Sequence, residues 1–226
     1  MKKALIVLII FFLFSTVSNA QNSRWFIVLT PGYGIGGPGV SIKANMNQSG
    51  FNQSQDNWLF GGTNTYPKVS HEPTLLLTIG KHVSEFGSIC VTAGQTTAGT
   101  VTGYNGQSNA TLDYNVWQFT GSYQFGFANT HFKVGVGPSL FYFKYSQNYS
   151  YQATGSSNSV IKPGLSVITR IPLGAEKRLF GMELFFELNI ASGATVKQID
   201  TYGPSLPACN VSLIHSVVGI SFAFGH

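Results

Sequence analysis

Apolar and polar residues alternate along most of the chain with a period of two, the pattern of strands whose two faces meet different surroundings. The segment 159–191 shows this alternation on both sides of a polar break at 174–178. On the second arm the apolar positions are even and the polar ones odd: Met182, Leu184, Phe186, Leu188 and Ile190 against Glu183, Glu187 and Asn189. Because the apolar set has a period of two and not 3.6, the segment predicts a β-hairpin.

The same alternation predicts eight strands: 24–33, 74–83, 88–100, 112–127, 131–145, 160–173, 179–190 and 211–225. The even-numbered connections are short: 84–87, 128–130 and 174–178. The odd-numbered ones are longer and rich in Gly, Ser, Asn and Tyr: 34–73, 101–111, 146–159 and 191–210. An up-and-down barrel with both termini in the periplasm has three tight turns on that side and four longer loops on the other. The sequence therefore predicts an all-β fold, an eight-stranded antiparallel up-and-down transmembrane β-barrel. A count of ten stays open, because 40–44 also alternates.

The two faces of the predicted strands differ in composition. On the fifth strand the large apolar face comprises Phe132, Val134, Val136, Leu140 and Tyr142. Its other face is small or polar: Lys133, Gly135, Gly137 and Ser139. An apolar outside and a polar inside invert the arrangement of a soluble barrel and favour a lipid environment, with aromatic girdles at both interfaces. The candidates for those girdles are Trp25, Tyr33, Trp117 and Tyr142. The alternative is a soluble sandwich with these aromatics in its core.

Composition and charge exclude several classes of protein. Charged residues make up 9% of the chain and aromatic residues 14%, whereas a soluble domain carries about 25% charged residues. Disorder and coiled coil do not fit this mixture. Apart from Lys2-Lys3, the only adjacent basic pair is Lys177-Arg178. The chain therefore lacks the basic patch of a nucleic-acid-binding protein.

The first twenty residues have the features of a secretory leader. Lys2-Lys3 form a positive region, 4–14 is apolar, and Ser18-Asn19-Ala20 places small residues at the two positions that a signal peptidase reads. An uncleaved anchor needs about 20 apolar residues, and this run turns polar at Ser15. We therefore expect a cleaved signal peptide, 1–20, followed by one barrel domain, 21–226, in the outer membrane of a Gram-negative-type bacterium.

The leader, the eight strands with alternating short and long connections, and the closing segment 218–226 together resemble small bacterial outer-membrane barrels of the OmpA and OmpX type. The resemblance extends over the whole mature chain as a pattern. We expect a monomer without a cofactor or metal, in contact with outer-membrane lipid and lipopolysaccharide. The resemblance implies recognition by the barrel-assembly machinery through alternating apolar residues of the last strand, here Val218, Ile220, Phe222 and Phe224.

Four charged residues fall on the inward face of the predicted barrel: Lys133, Arg170, Glu183 and Glu187. Centring the hairpin turn within 175–177 sets Arg170 across from Glu183 and Ser166 across from Glu187. Charges away from water are tolerated when they are paired. We therefore expect an ion network that fills the lumen and has a structural role.

The two cysteines enter a compartment that permits disulfides. Cys90 lies near the predicted periplasmic turn, and Cys209 precedes the last strand at the opposite end. Their separation exceeds the ~7 Å between Cα atoms that a bridge allows. The sequence predicts two free thiols.

Three functional classes remain in view. The long first connection, 34–73, is rich in Asn and Gln and carries candidate surface contacts at Phe51, Trp58, Phe60 and Tyr66. It favours a structural or cell-surface interaction role, and its alternative is a mobile cover. A narrow solute channel requires that the inward glycines leave a water path through an interior that eight strands normally fill.

A rim-sited enzyme, either lipid A-modifying or proteolytic, requires ionisable residues that converge. The candidates are His71, Glu72, Asp113, Asp200 and His215, the last followed by Ser216. None of them reproduces a catalytic family motif. We therefore do not expect an enzyme.

Overall fold

The computed structural model of the chain describes residues 25–56, 62–126, 132–151, 156–173, 180–199 and 203–224. The predicted leader lies outside these residues. The barrel strands are β1 (Trp25–Gly36), β4 (Lys68–His82), β5 (Gly87–Tyr104), β6 (Asn109–Gly126), β7 (Lys133–Tyr149), β8 (Ser156–Pro172), β9 (Phe180–Ala191) and β12 (His215–Phe224). The other elements are α1 (Pro38–Gln48), β2 (Gln55–Asp56), β3 (Thr63–Asn64), β10 (Ala194–Val196) and β11 (Cys209–Val211).

Eight strands form a closed barrel in the order β1-β12-β9-β8-β7-β6-β5-β4. Each neighbouring pair is antiparallel. The predicted eight-stranded up-and-down barrel is confirmed. The alternative count of ten is wrong, because the remaining strands within the described residues form two small hairpins, β2 with β3 and β10 with β11.

The lower half of β6 shows why these strands form a membrane-spanning wall. Trp117 and Phe119 point outward and are 47% and 55% exposed, whereas Gln118 and Thr120 point inward and are 3% and 0% exposed. The same arrangement recurs around the ring, so that large apolar side chains cover the outside. An apolar exterior around a polar interior is stable against lipid. The predicted polarity of the two faces is confirmed for this half of the barrel.

The upper halves of β6 and β7 reverse that polarity. On β6, Leu112, Tyr114 and Val116 point inward and are buried, while Asp113 and Asn115 point outward. The exchange occurs next to Trp117, which pairs across the sheet with Tyr142 of β7. Aromatic residues of this kind mark the boundary between lipid and water. Above this level the barrel has an apolar core and a polar exterior, as a soluble protein does.

The wall is tall on one side and low on the other. Strands β5 and β6 have 18 residues each and β7 and β8 have 17, whereas β9 has 12 and β12 has 10. A transmembrane strand needs about 9–11 residues, so the tall strands extend well beyond the bilayer. The predicted long loop 101–111 is therefore wrong. Strands β5 and β6 continue to a four-residue turn, in which the Asn105 side chain accepts hydrogen bonds from the Gln107 and Ser108 amides at 3.0 and 2.8 Å.

Helix α1 closes the mouth at the tall end. Gly36 and Gly37 have positive φ angles of 82° and 71°, and Pro38 occupies the first turn, where its fixed φ suits a helix start. Ile42 and Met46, one turn apart, are buried against the barrel interior. The alternation at 40–44 that suggested a further strand belongs to this helix, because the two glycines end β1 and the proline starts α1.

Candidate functional site

The predicted interior charges lie in the lower half of the lumen. Lys133 Nζ is 3.0 Å from Glu183 Oε1, and Arg170 Nη1 is 3.3 Å from Glu183 Oε2. The side chains of Arg170 and Glu183 are each 2% exposed, and that of Lys133 is 18% exposed. The structure thus brings three of the four predicted residues together around one carboxylate.

Arg170 reaches across the lumen from β8. It donates hydrogen bonds to Ser221 Oγ on β12 at 2.9 Å and to Thr78 Oγ1 on β4 at 3.3 Å. Its guanidinium also lies over the ring of Phe185, 4.8 Å from the centroid. One side chain therefore connects strands on opposite sides of the ring and occupies the space that a channel would use.

The predicted pairing of β8 with β9 is wrong by two residues. Arg170 lies opposite Phe185, and Ser166 lies opposite Asn189. The hairpin is centred one residue further along the chain than 175–177. A shift of two residues keeps every side chain on its face, so Arg170 and Glu183 still meet diagonally.

Glu187 does not belong to an ion pair within the described residues. Both of its carboxylate oxygens accept from Gln118 Nε2 of β6, at 2.9 and 3.1 Å. Glu187 and Gln118 are both buried. The predicted fourth member of the network is therefore bound to an amide across the lumen. The alternation of residues gave no sign that Gln118 would be this partner.

A second chain of polar contacts crosses the lumen beside Glu187. The hydroxyl oxygens of Thr120 and Ser139 are 2.7 Å apart, and those of Ser139 and Ser166 are 2.6 Å apart. Ser166 donates to Asn189 Oδ1 at 2.6 Å, and the Asn189 amide is 3.3 Å from His215 Nε2. All five side chains are buried. The contacts join β6, β7, β8, β9 and β12, five of the eight strands of the ring.

The polar contacts from Thr120 to His215 do not have the geometry of a nucleophile beside a general base. His215 Nδ1 is 3.1 Å from the Leu213 carbonyl, which can only accept, so Nδ1 carries the proton and Nε2 accepts from Asn189. Neither ring nitrogen is therefore available to take a proton from Ser166, and His215 is 2% exposed.

The residues considered for an enzyme do not form one site. His215 points into the lumen, whereas Asp113 lies on the outward face of β6 and accepts from Thr100 Oγ1 at 2.6 Å. The side chains of His71 and Glu72, and Asp200 as a whole, lie outside the described residues. Within the described part of the chain, no group of three His, Cys, Asp or Glu side chains could hold a metal ion.

The mouth of the barrel is filled by an apolar core. Phe51, which follows α1, is 1% exposed and packs with Ile42, Met46 and residues of β5, β6 and β7. Its assignment as a surface contact is wrong, because the helix carries it inward. Tyr66 is half-buried, with its hydroxyl 3.3 Å from Gln55 Oε1. Trp58 and Phe60 lie outside the described residues.

Side chains of β7 fasten the segment before β12 onto this core. The Tyr149 hydroxyl accepts from the Leu206 amide at 2.8 Å, and the Tyr145 hydroxyl accepts from the Lys197 amide at 3.0 Å. Gln147 Nε2 donates to the Lys197 carbonyl at 2.7 Å. The closure is therefore held by hydrogen bonds as well as by apolar packing.

The inward glycines of β7 are closely packed against β6. A Cβ atom on Gly137 would lie 2.0 Å from the Gly121 carbonyl oxygen, and one on Gly135 would lie 2.7 Å from Gln124 Cγ. Neighbouring backbone and side chains already occupy the space beside them. The glycines permit close packing of β6 against β7.

The two cysteines are free thiols, as predicted. Cys90 is buried in the lumen with Phe26, Val28 and Ala223. Cys209, in β11 above the membrane, is partly exposed, and burial raises the pKa of its thiol. No helix among the described residues is long and apolar enough to cross a membrane.

The outside of the tall wall carries a shallow polar cleft. Its volume is about 310 Å³, and its lining includes Thr100, Asp113, Asn115, Lys144 and Ser146. These side chains belong to three adjacent strands, β5, β6 and β7, above the Trp117–Tyr142 level. They present hydroxyl, amide and both signs of charge on a rigid surface that faces water.

The chain matches no family model, and no curated protein matches it. Among solved structures it is similar to Neisserial surface protein A, with 11% sequence identity, a TM-score of 0.47 and coverage of 91% of this chain and 100% of that one. It is also similar to the outer membrane protein OprG from Pseudomonas aeruginosa, with 12% identity, a TM-score of 0.49 and coverage of 91% and 98%. The assignment of this chain as a membrane-spanning barrel rests on its own strand pairing and apolar exterior.

Proposed function

We propose that this protein is a sealed outer-membrane barrel that acts by binding at its extracellular surface. The observation that carries the proposal is the filled interior. Arg170 crosses the lower lumen, Glu187 and Gln118 cross above it, and α1 packs into the mouth. An interior of this kind is suited to support a surface and not to conduct solutes.

The binding surface in this proposal is the polar outside of the tall wall. Residues of its cleft stand on strands whose inward neighbours form a core, so they are held in place before a ligand arrives. Such preorganisation lowers the cost of ordering side chains on binding. The first long connection, which the sequence favoured as the contact region, instead contributes Ile42, Met46 and Phe51 to the closure.

Biogenesis and environment form part of the same proposal. The leader 1–20 is removed on export, the tall end faces outward, and the barrel is a monomer surrounded by outer-membrane lipid and lipopolysaccharide. Recognition by the assembly machinery uses alternate residues of β12, which lie on its outward face: Val218, Ile220, Phe222 and Phe224.

Two measurements test the proposal. In planar bilayers the refolded protein should give no discrete conductance steps, and regular steps would support the channel instead. Cells that display the protein should bind members of an array of immobilised glycans and matrix proteins, and replacing Asp113, Asn115 and Lys144 by Ala should remove that binding. The matched control replaces Lys43 and Asn47, exposed on α1, by Ala. Binding that survives the wall variant and is lost in the control would overturn the assignment of the surface.

A further inference from the structure

The barrel wall has a gap at its upper end beside β8. Pairing of β7 with β8 continues up to Gln147 and Ser156. Pairing of β8 with β9 ends at Gly164 and Ala191. Above Gly164, β8 has no strand neighbour on that side among the described residues, and β10 lies across the resulting cleft. The cleft has a volume of about 280 Å³.

Two lysines line this cleft. Lys162 lies on the inward face of β8 opposite Phe141, yet it is only half-buried, because the wall beside it is missing. Lys197 follows β10 on the other side. None of the described lining residues is acidic, and neither lysine has an ion-pair partner within the described part of the chain.

The neutral lining residues add hydrogen-bond donors, and the backbone of Lys197 is held in place by side chains of β7. Asn158, Ser159 and Thr195 contribute amide and hydroxyl groups. The Lys197 backbone is held at both of its polar groups, since its amide donates to the Tyr145 hydroxyl and its carbonyl accepts from the Gln147 side chain. Two cations and several donors around a space of this size suit an anion with several oxygen atoms.

The height of the cleft indicates where such an anion would come from. On the strands beside it, Tyr142 and Ile161 are the paired outward residues at the top of the apolar exterior, and exposed Lys144 is the next outward position on β7. This is the level of lipid headgroups, where interfacial aromatics and lysines are found. The cleft extends upward from that level, since its β8 lining runs from Lys162 to Asn158.

We propose that the Lys162–Lys197 cleft binds the phosphate or sulfate group of a saccharide. The saccharide is either the headgroup of an outer-leaflet glycolipid or a free sugar ester at the cell surface, and the same oxyanion chemistry serves both. The inference goes beyond the surface role proposed above and uses from it only the outward orientation of the tall end.

The test uses the mature protein in phosphatidylcholine nanodiscs, titrated with glucose 1-phosphate and, as the uncharged ligand, glucose. The Lys197 amide resonance reports occupancy. We expect saturable shifts with glucose 1-phosphate and none with glucose. Lys162→Gln and Lys197→Gln should each weaken binding about tenfold, because each removes one charge-assisted contact. Replacing either lysine by Arg should preserve the affinity. Lys43→Gln, an exposed lysine on α1, should bind as the wild type does.

Equal shifts with glucose, or unchanged affinity in the double variant Lys162→Gln/Lys197→Gln, would overturn the site. Heat-modifiable mobility on gels verifies that each variant is folded. A second series with lipid A in the nanodiscs separates the two sources: loss of the glucose 1-phosphate response identifies the glycolipid, and an unchanged response identifies a free ester. Because these measurements use purified protein, they can fail while the surface role on cells stands, and the reverse also holds.

Discussion

Replacing Glu183 by Ala should destabilise the barrel strongly, because it leaves the Arg170 guanidinium buried without an anion. Both side chains are 2% exposed, and Glu183 is the carboxylate in contact with Arg170. Removing one partner of a buried pair costs about 3–5 kcal/mol. Arg170 keeps its neutral contacts with Ser221, Thr78 and the Phe185 ring, so we expect the lower end of that range, about 3 kcal/mol.

The second change, Arg170→Met, should restore stability to the Glu183→Ala variant. It removes the stranded charge and keeps an unbranched side chain of moderate size. The hydroxyls that Arg170 contacts remain bonded, because Ser221 pairs with Thr30 at 2.7 Å and Thr78 pairs with Thr92 at 2.8 Å. We expect the double variant to recover about 2 kcal/mol.

The measurement is urea unfolding of protein inserted in phosphatidylcholine vesicles, followed by tryptophan fluorescence. Glu85→Ala, at an exposed turn residue on the same side, is the matched control and should unfold at the wild-type midpoint. The reasoning is refuted if Glu183→Ala also unfolds at that midpoint, or if Arg170→Met adds to the loss instead of reversing it.

Three further predictions follow from the geometry of the two ends. Phe51→Ala should loosen the closure, since truncating a buried Phe costs about 3–5 kcal/mol, and tryptic cleavage within α1 should accelerate; an unchanged cleavage rate contradicts the packing. A peptide tag inserted at Gln107 should be labelled on intact cells, whereas one at Glu85 should need permeabilisation; the opposite result reverses the orientation. An impermeant maleimide should label Cys209 and spare Cys90. Because burial raises the pKa of the Cys209 thiol, labelling should quicken as the pH rises above neutrality, and a rate equal to that of free cysteine would contradict the partial burial of this thiol.

The alternation of residues was sufficient to predict which side chains face the lumen. Lys133, Arg170 and Glu183 all point inward as the period of two required. The alternation could not give the register, because a slip of two residues leaves every side chain on its predicted face. The error therefore appears in which residues lie opposite one another, whereas Lys133, Arg170 and Glu183 still meet in the lumen as predicted.

The closure of the mouth was harder to predict because it depends on packing between residues that lie far apart in the sequence. Helix α1 offers only two well-spaced apolar residues on its buried face, Ile42 and Met46, and these find their partners on β5 and β6. A local signal did exist in the Gly36-Gly37-Pro38 sequence, since glycine followed by proline ends a strand and favours a helix start. The alternation at 40–44 left a count of ten strands open, because five residues are too few to separate a strand from a short helix by their pattern alone.

The tall wall was predicted as loops because Gly103, Asn105 and Gly106 form a turn-rich cluster whose true turn has only four residues. What the sequence did carry is the exchange of polarity between faces. On β6 the inward residues change from polar to apolar between Gln118 and Val116, while alternation itself continues. Where the inward and outward faces exchange polarity while residues continue to alternate, the strand passes from lipid into water.

The exchange of polarity between the two faces of β6 determines which substitutions can be used to map a binding surface. Above the level of Trp117, an apolar core holds the strands, so the tall end is a rigid sheet and not a set of independent loops. The contribution of a residue to binding should therefore depend on whether its side chain points outward or inward from the strand. Substitutions at outward positions such as Asp113 should alter binding with little effect on folding, whereas inward neighbours such as Leu112 and Tyr114 should alter folding first. A scan along β6 in which affinity and stability change at alternate residues would follow from this arrangement, and loss of both at the same positions would mean that the wall is not a preformed surface.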